Sequence, residues 1–164
     1  MDAHDKKNLD VLSSIIKKGD VIVDVGANHG TYTDFFKRNL DGSGKIYCIE
    51  LHPKTYGLLV QKYIGNSNIG VINKAISNID GEMTYHSGED DCLQNILGHD
   101  VNYKPSNIMG KTESIRLDTF LKYIEHINLI KIDVEGAELM VLEGLENIIN
   151  KVDYILVECH LNKD

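Results

Sequence analysis

Gly26 and Gly30, in the run DVGANHG, stand between an apolar stretch, VIVDV, and an amphipathic one, TYTDFF. Glycines placed there let the backbone turn sharply and approach a ligand closely. The helix that follows opens with unbonded N–H groups. Asp24 lies just inside the apolar stretch, and Glu50 closes the next one, KIYCIE. An acid at the end of two consecutive buried strands is costly unless a ligand or partner meets it. In open α/β sheets ligands sit at the carboxyl ends of the strands, so a nucleoside-bearing cofactor fits this arrangement.

Two cofactor classes compete for it. A dinucleotide site usually reads G-x-G-x-x-G, because a pyrophosphate nestles against bare backbone. Here Asn28 and Thr31 occupy the second and third glycine positions. Asp24 would repel a pyrophosphate and attract a cationic ligand, directly or through water. S-adenosylmethionine carries an ammonium and a sulfonium and no phosphate, so turn and acid together favour it over NAD. Glu50 serves either cofactor, since an acid there accepts hydrogen bonds from ribose hydroxyls. An NAD(P)-dependent oxidoreductase stays as the alternative from a second enzyme class.

The run LIKIDVEGAELMVLEGL holds a further group: Asp133, Glu135 and Glu138 around Gly136. Acids at a helix start complement its dipole. That explains Glu138 entirely and Asp133 poorly, because Asp133 belongs to the strand run. Methyl transfer to an alcohol needs a general base or a metal to take the developing alkoxide. Asp133, Glu135, Glu158 and His160 are the candidates, with His160 in the right pKa class; His52 and His86 are weaker. Asp133 and Glu135 could instead hold a hard divalent cation, but two carboxylates do not define a metal site, and none is assigned.

These residues need elements to hold them. Leu9, Leu12, Ile15 and Ile16 share a helical face that Gly19 ends. VIVDVG, KIYCIEL, IGVINKAIS, LIKIDVEG and YILVECH read as five successive buried strands. Helices are expected around Tyr32–Leu40, from Pro53 to Gly65, and over Ala137–Ile149. Asp118 is expected to cap a helix. Asp80-Gly81 suggests a hairpin turn into an extra strand. Nearly continuous apolar strands alternating with helices predict a parallel sheet covered on both faces. The polar segment from Ser87 to Glu113 resists assignment and exceeds normal loop length, as a lid or a solvated insertion would.

The chain has 164 residues, consistent with one domain over 1–164. Its net charge of −8, with no basic cluster, argues against nucleic acid and against an anionic membrane. No apolar run spans a bilayer, and the N-terminus shows no signal-peptide pattern. Three cysteines without close spacing argue against disulfides and zinc; Cys48 and Cys159 read as small buried hydrophobes. A reducing cytoplasm is the expected location.

Together DVGANHG, CIEL, RLDTF and IKIDVEGAELMVLEGL resemble the FkbM family of S-adenosylmethionine-dependent methyltransferases, from about Val21 to Cys159. The resemblance implies a Rossmann-like class I methyltransferase fold and O-methylation of a hydroxyl on a sugar or other small molecule. Carried over residue by residue, it places the methionine part against Asp24, Gly26, Ala27, Asn28 and Gly30. It places the ribose on Glu50 with Leu51 beside it, and the adenine near Lys74 and Ala75. Asp133 would lie near the methionine ammonium and the acceptor, and Asp133, Glu135 and His160 are the catalytic candidates. Folds of this kind usually add two strands after the fifth. Their expected absence would leave a strand edge open to a second copy or a partner. It also raises a further alternative, a truncated, non-catalytic module that binds cofactor or a partner.

Overall fold

The structure, a computed structural model, describes residues 3–87, 94–96 and 108–160. In chain order the elements begin with α1 (Ala3–Ile15), β1 (Val21–Val25), α2 (Thr31–Leu40), β2 (Lys45–Ile49), α3 (Pro53–Tyr63) and β3 (Ile69–Ile72). There follow β4 (Ala75–Ile76), β5 (Gly81–Ser87), β6 (Gln94–Ile96), β7 (Ile108–Ile115) and α4 (Leu117–Phe120). The remainder is β8 (Ile127–Ile132), α5 (Glu138–Glu143), a 3-10 helix (Glu146–Lys151) and β9 (Val152–Val157).

The five expected strands form one parallel sheet in the order β3-β2-β1-β8-β9. Side chains alternate across it with the two-residue period of a strand. Val23, Val25, Ile130 and Ile132 pack on one face with Leu117, Leu121 and Val141. Ile22 and Leu129 pack on the other with Leu12, Phe35, Phe36 and Leu40. Asp24 and Lys131 follow the second parity, so two charged residues lie in register on a helix-covered face. Among the described residues no helix is long and apolar enough to cross a membrane.

Five sequence expectations change. IGVINKAIS is not one strand: β3 ends at Ile72, and β4 joins a second sheet of order β4-β7-β5-β6. Asn73 makes the break, its Nδ2 donating to the carbonyls of Glu50 and Leu51, each at 2.8 Å. The Asp80-Gly81 turn is no hairpin, because β7 lies between β4 and β5. Asp118 is not a cap: Arg116 holds that position, and the Asp118 carboxylate accepts from Arg116 Nε and Nη2 at 2.9 and 2.7 Å. The expected helix over 137–149 breaks at Gly144, whose carbonyl accepts from Asp118 N at 2.9 Å. Cys48 is buried as expected, but Cys159 is exposed beyond the end of β9. Of the unassigned polar segment, the described parts form β6 and β7. Cys92 and the rest of it lie outside the described residues.

Candidate cofactor and acceptor site

An open cleft of about 590 Å³ runs along the carboxyl ends of β1, β2 and β8. Of the expected site residues, Gly26, Asn28, Glu50, Leu51, Lys74, Ala75, Asp133 and Glu135 line it. Val25, Ile49, Thr55, Ile76 and Val134 complete the wall.

The glycine turn is shaped by contacts that leave no room for side chains. Gly26 has φ 73°, and a Cβ there would lie 1.7 Å from the Asp133 carbonyl oxygen. Gly30 has φ 79°, and a Cβ would lie 2.4 Å from the Tyr63 hydroxyl. Gly26 N and Ala27 N both donate to the Ile49 carbonyl at 3.0 Å, which ties the turn to β2. Ala27 and Gly30 therefore shape the turn from behind. Ala27 packs with Cys48, Leu59 and Tyr63, and neither residue lines the cleft. The Cys48 thiol beneath them is pushed up to about 12 by burial, so it stays protonated.

Glu50 is 7% exposed. Its Oε2 accepts from Asn28 N at 2.9 Å and its Oε1 from His52 N at 2.8 Å. Burial pushes its pKa up, against the pull of those two N–H groups. A carboxylate offers about four lone-pair sites, so each oxygen retains one for a ligand hydroxyl. Asn28 Oδ1 is buried with no hydrogen-bond partner among the described residues, a second acceptor in the cleft wall. Unsatisfied buried acceptors are rare and need an explanation. A ligand bearing vicinal hydroxyls or an ammonium supplies one.

Asp24 departs from its expected role. It is fully buried and does not line the cleft. Its Oδ2 accepts from Thr33 Oγ1 at 2.5 Å, and Lys131 Nζ stands 3.8 Å from its Oδ1. The cation that faces this buried acid is a lysine of the protein, close enough for an ion pair, while Oδ1 has no hydrogen-bond partner among the described residues. Burial nevertheless raises its pKa. Lys131 is the residue that the sequence reading missed. Burial lowers its pKa, but Asp24 and Asp133 more than offset that, and the ammonium stays charged. The available signal was a lysine inside an apolar strand run.

At the far rim, β8 ends at Ile132, so Asp133 and Glu135 lie on the turn after it. Glu135 has φ 53°. His160 reaches this turn from beyond β9. Its Nδ1 is 2.8 Å from Glu138 Oε1 and its Nε2 is 3.4 Å from Glu135 Oε2. Glu138 Oε1 also accepts from Gly136 N at 2.9 Å, so Glu138 orients His160 as well as starting α5. One atom from each of Asp133, Glu135 and His160 lies within 4.8 Å of the others, a spacing that could hold a cation. The protein's own cations already serve these acids, with Lys131 Nζ 3.0 Å from Asp133 Oδ2. Burial raises the pKa of Glu135. The expected catalytic set is thus brought together at the β8 turn, where Asp133 and Glu135 line the cleft and His160 stands behind Glu135, outside the lining. Glu158 does not line the cleft, and His52 is the N-cap residue of α3. For His86 only the backbone is described.

The methyltransferase FkbM domain matches residues 24–164. Hexuronic acid methyltransferase AglP of Haloferax volcanii is 24% identical over 152 residues, covering 90% of this chain and 59% of that protein. 2-O-methyltransferase NoeI of Sinorhizobium fredii is 24% identical over 168 residues, covering 93% of this chain and 68% of that protein. The chain thus spans about three fifths to two thirds of the length of these curated relatives. SMU.1697c of Streptococcus mutans, solved in complex with SAH, superposes with a TM-score of 0.54 at 13% identity, covering 93% of this chain and 68% of that one. That likeness shows a shared fold.

Proposed function

The chain belongs to the methyltransferase FkbM domain family and has its Rossmann-like class I fold, and on that premise we propose that it binds S-adenosylmethionine and methylates a hydroxyl oxygen of a sugar or other small molecule. The observation that carries the cofactor reading is the hydrogen bond from Asn28 N to Glu50 in the cleft wall, which leaves open acceptor positions beside a backbone turn. The name of one relative, a hexuronic acid methyltransferase, supports a sugar-like acceptor, and that of another, a 2-O-methyltransferase, supports transfer to oxygen.

Bound there, S-adenosylmethionine supplies an electrophilic methyl group on its sulfonium. The residues of the chain do the rest. Glu50 and Asn28 accept hydrogen bonds from the nucleoside end. Gly26 lets backbone pass close to the cofactor. Leu51 and Ala75 offer an apolar wall. At the other end Glu138 would accept the Nδ1–H hydrogen bond of His160, and Nε2, once turned from Glu135 toward the acceptor, would take its hydroxyl proton as the oxygen–methyl bond forms and the sulfur–methyl bond breaks. Positioning supplies much of the acceleration in such an in-line displacement, and the base adds about 10²–10⁴-fold.

Incubation with methyl-labelled S-adenosylmethionine and a panel of uronic acids, neutral sugars and non-sugar alcohols tests this reading. Label recovered as a base-stable methyl ether is expected, with His160→Ala slowing turnover about a hundredfold or more. Label on nitrogen, or undiminished turnover in the variant, contradicts it.

A further inference from the structure

Lys131 is a buried charged side chain behind the cleft wall that the proposed chemistry does not use. It sits on β8 opposite Asp24 of β1, in direct register. Its side chain is 4% exposed. From there Nζ is 3.0 Å from Asp133 Oδ2, 3.4 Å from the Gly26 carbonyl oxygen and 3.8 Å from Asp24 Oδ1. It also stands 4.8 Å from the centroid of the Tyr32 ring, which belongs to α2.

Balancing Asp24 is one use for such a residue, but it is a weak reason for the pair to exist. Removing an ammonium and a carboxylate from water costs several kcal/mol each, and well-packed apolar side chains in their place are often neutral or stabilising. What an apolar pair lacks is reach. The ammonium passes beyond its own strand to the two loops that wall the cleft, the turn after β1 and the turn after β8. Those loops already touch through backbone: Asp133 N donates to the Val25 carbonyl at 3.1 Å. Lys131 adds a side-chain tie to each.

We propose that Lys131 is a positioning residue: its ammonium fixes the Gly26 carbonyl and the Asp133 carboxylate, so that the glycine turn and the β8 turn meet the cofactor already formed. The role rests on the cofactor reading of the cleft for its ligand, but not for its geometry. A cradle fixed in advance spares the ordering cost of binding, and a site whose supports are loose loses affinity without losing its fold.

The test separates positioning from charge balance. Lys131→Met alone would leave Asp24 buried and unpaired, so the comparison is Asp24→Asn/Lys131→Met against Asp24→Asn. Three quantities are measured: melting temperature, hydrogen exchange of the 26–28 and 133–136 amides, and affinity for S-adenosylhomocysteine. The expected result is two proteins melting within a few degrees of each other. In the double variant those amides exchange at least about tenfold faster, and affinity is at least about tenfold weaker. Equal exchange and equal affinity would overturn the proposal, leaving Lys131 as a counter-ion only. Faster exchange in the double variant, beside a wild-type chain that binds no S-adenosylhomocysteine, would sink the cofactor reading and leave the tie between the loops standing. If the double variant does not fold, wild-type chain labelled at lysine Nζ still decides. Ligand addition is expected to move the Lys131 signal together with the Gly26 amide, and a Gly26 shift with an unmoved Lys131 signal overturns the role.

Discussion

His160 sits between opposing influences. Burial pushes its pKa down, while the Glu138 hydrogen bond and the Glu135 charge push it up further, and the net shift is upward from 6.5. A raised folded-state pKa has a definite sign. The pairing stabilises the fold fully below the unfolded value, and that contribution is lost as pH rises through the folded value. An NMR titration of the His160 ring is expected to give an apparent pKa above that of a free imidazole, with Glu138→Gln moving it down. A base must be neutral to accept a proton, so the alkaline-going limb of kcat/KM is expected to shift to lower pH in the same variant. At this scale Glu50 was legible in the sequence, because an acid closing an apolar run has few other uses. The fate of Asp24 was not. Its partner comes from a strand far along the chain, and only the order β2-β1-β8 brings Lys131 beside it.

The elements that carry the cleft, β1, α2, β2 and α3, lie where apolar period and glycine punctuation put them. Their signals are local. The second sheet was not legible, because its pairings are non-local: β7 pairs parallel with β4 and antiparallel with β5. The break that sends β4 there is made by the Asn73 side chain, which periodicity does not register. The turn between β1 and α2 gives the sharpest prediction at this scale. In Gly26→Ala a methyl group would meet the Asp133 carbonyl oxygen at 1.7 Å, at φ 73°, so backbone must move. A loss of about 2 kcal/mol or more in thermal unfolding is expected, together with loss of S-adenosylhomocysteine binding. A variant that melts and binds like wild type would show that the turn is not held as described.

Across the whole molecule Arg116, between β7 and α4, ties the β4–β5 connection to the helices beside the parallel sheet. Its Nη1 donates to the Asn78 carbonyl at 2.8 Å and its Nη2 to the Glu143 carbonyl at 3.0 Å. Asp118, which Arg116 grips with two hydrogen bonds, also accepts from Asn147 Nδ2 at 2.6 Å. The Arg116 hydrogen bond holds the Asp118 carboxyl below its usual value of 3.8. That contribution is present above the unfolded pKa and is lost as pH falls through the folded one. Arg116→Met is expected to lower the urea midpoint at neutral pH, since several part-buried acceptors lose a charged donor. It is also expected to flatten the fall of stability below about pH 4. The sequence offered RLDTF as part of a family resemblance without indicating that its arginine and aspartate join the layers.

The central claim is that the cleft is an S-adenosylmethionine site with Glu50 at its nucleoside end. Calorimetric titration of the folded chain with S-adenosylhomocysteine, beside Glu50→Ala and an NADH control, tests it most directly. The account predicts one site in the wild-type chain, affinity weakened at least about tenfold in the variant, and no uptake of NADH. Equal binding by wild type and variant, or binding of NADH alone, would contradict it.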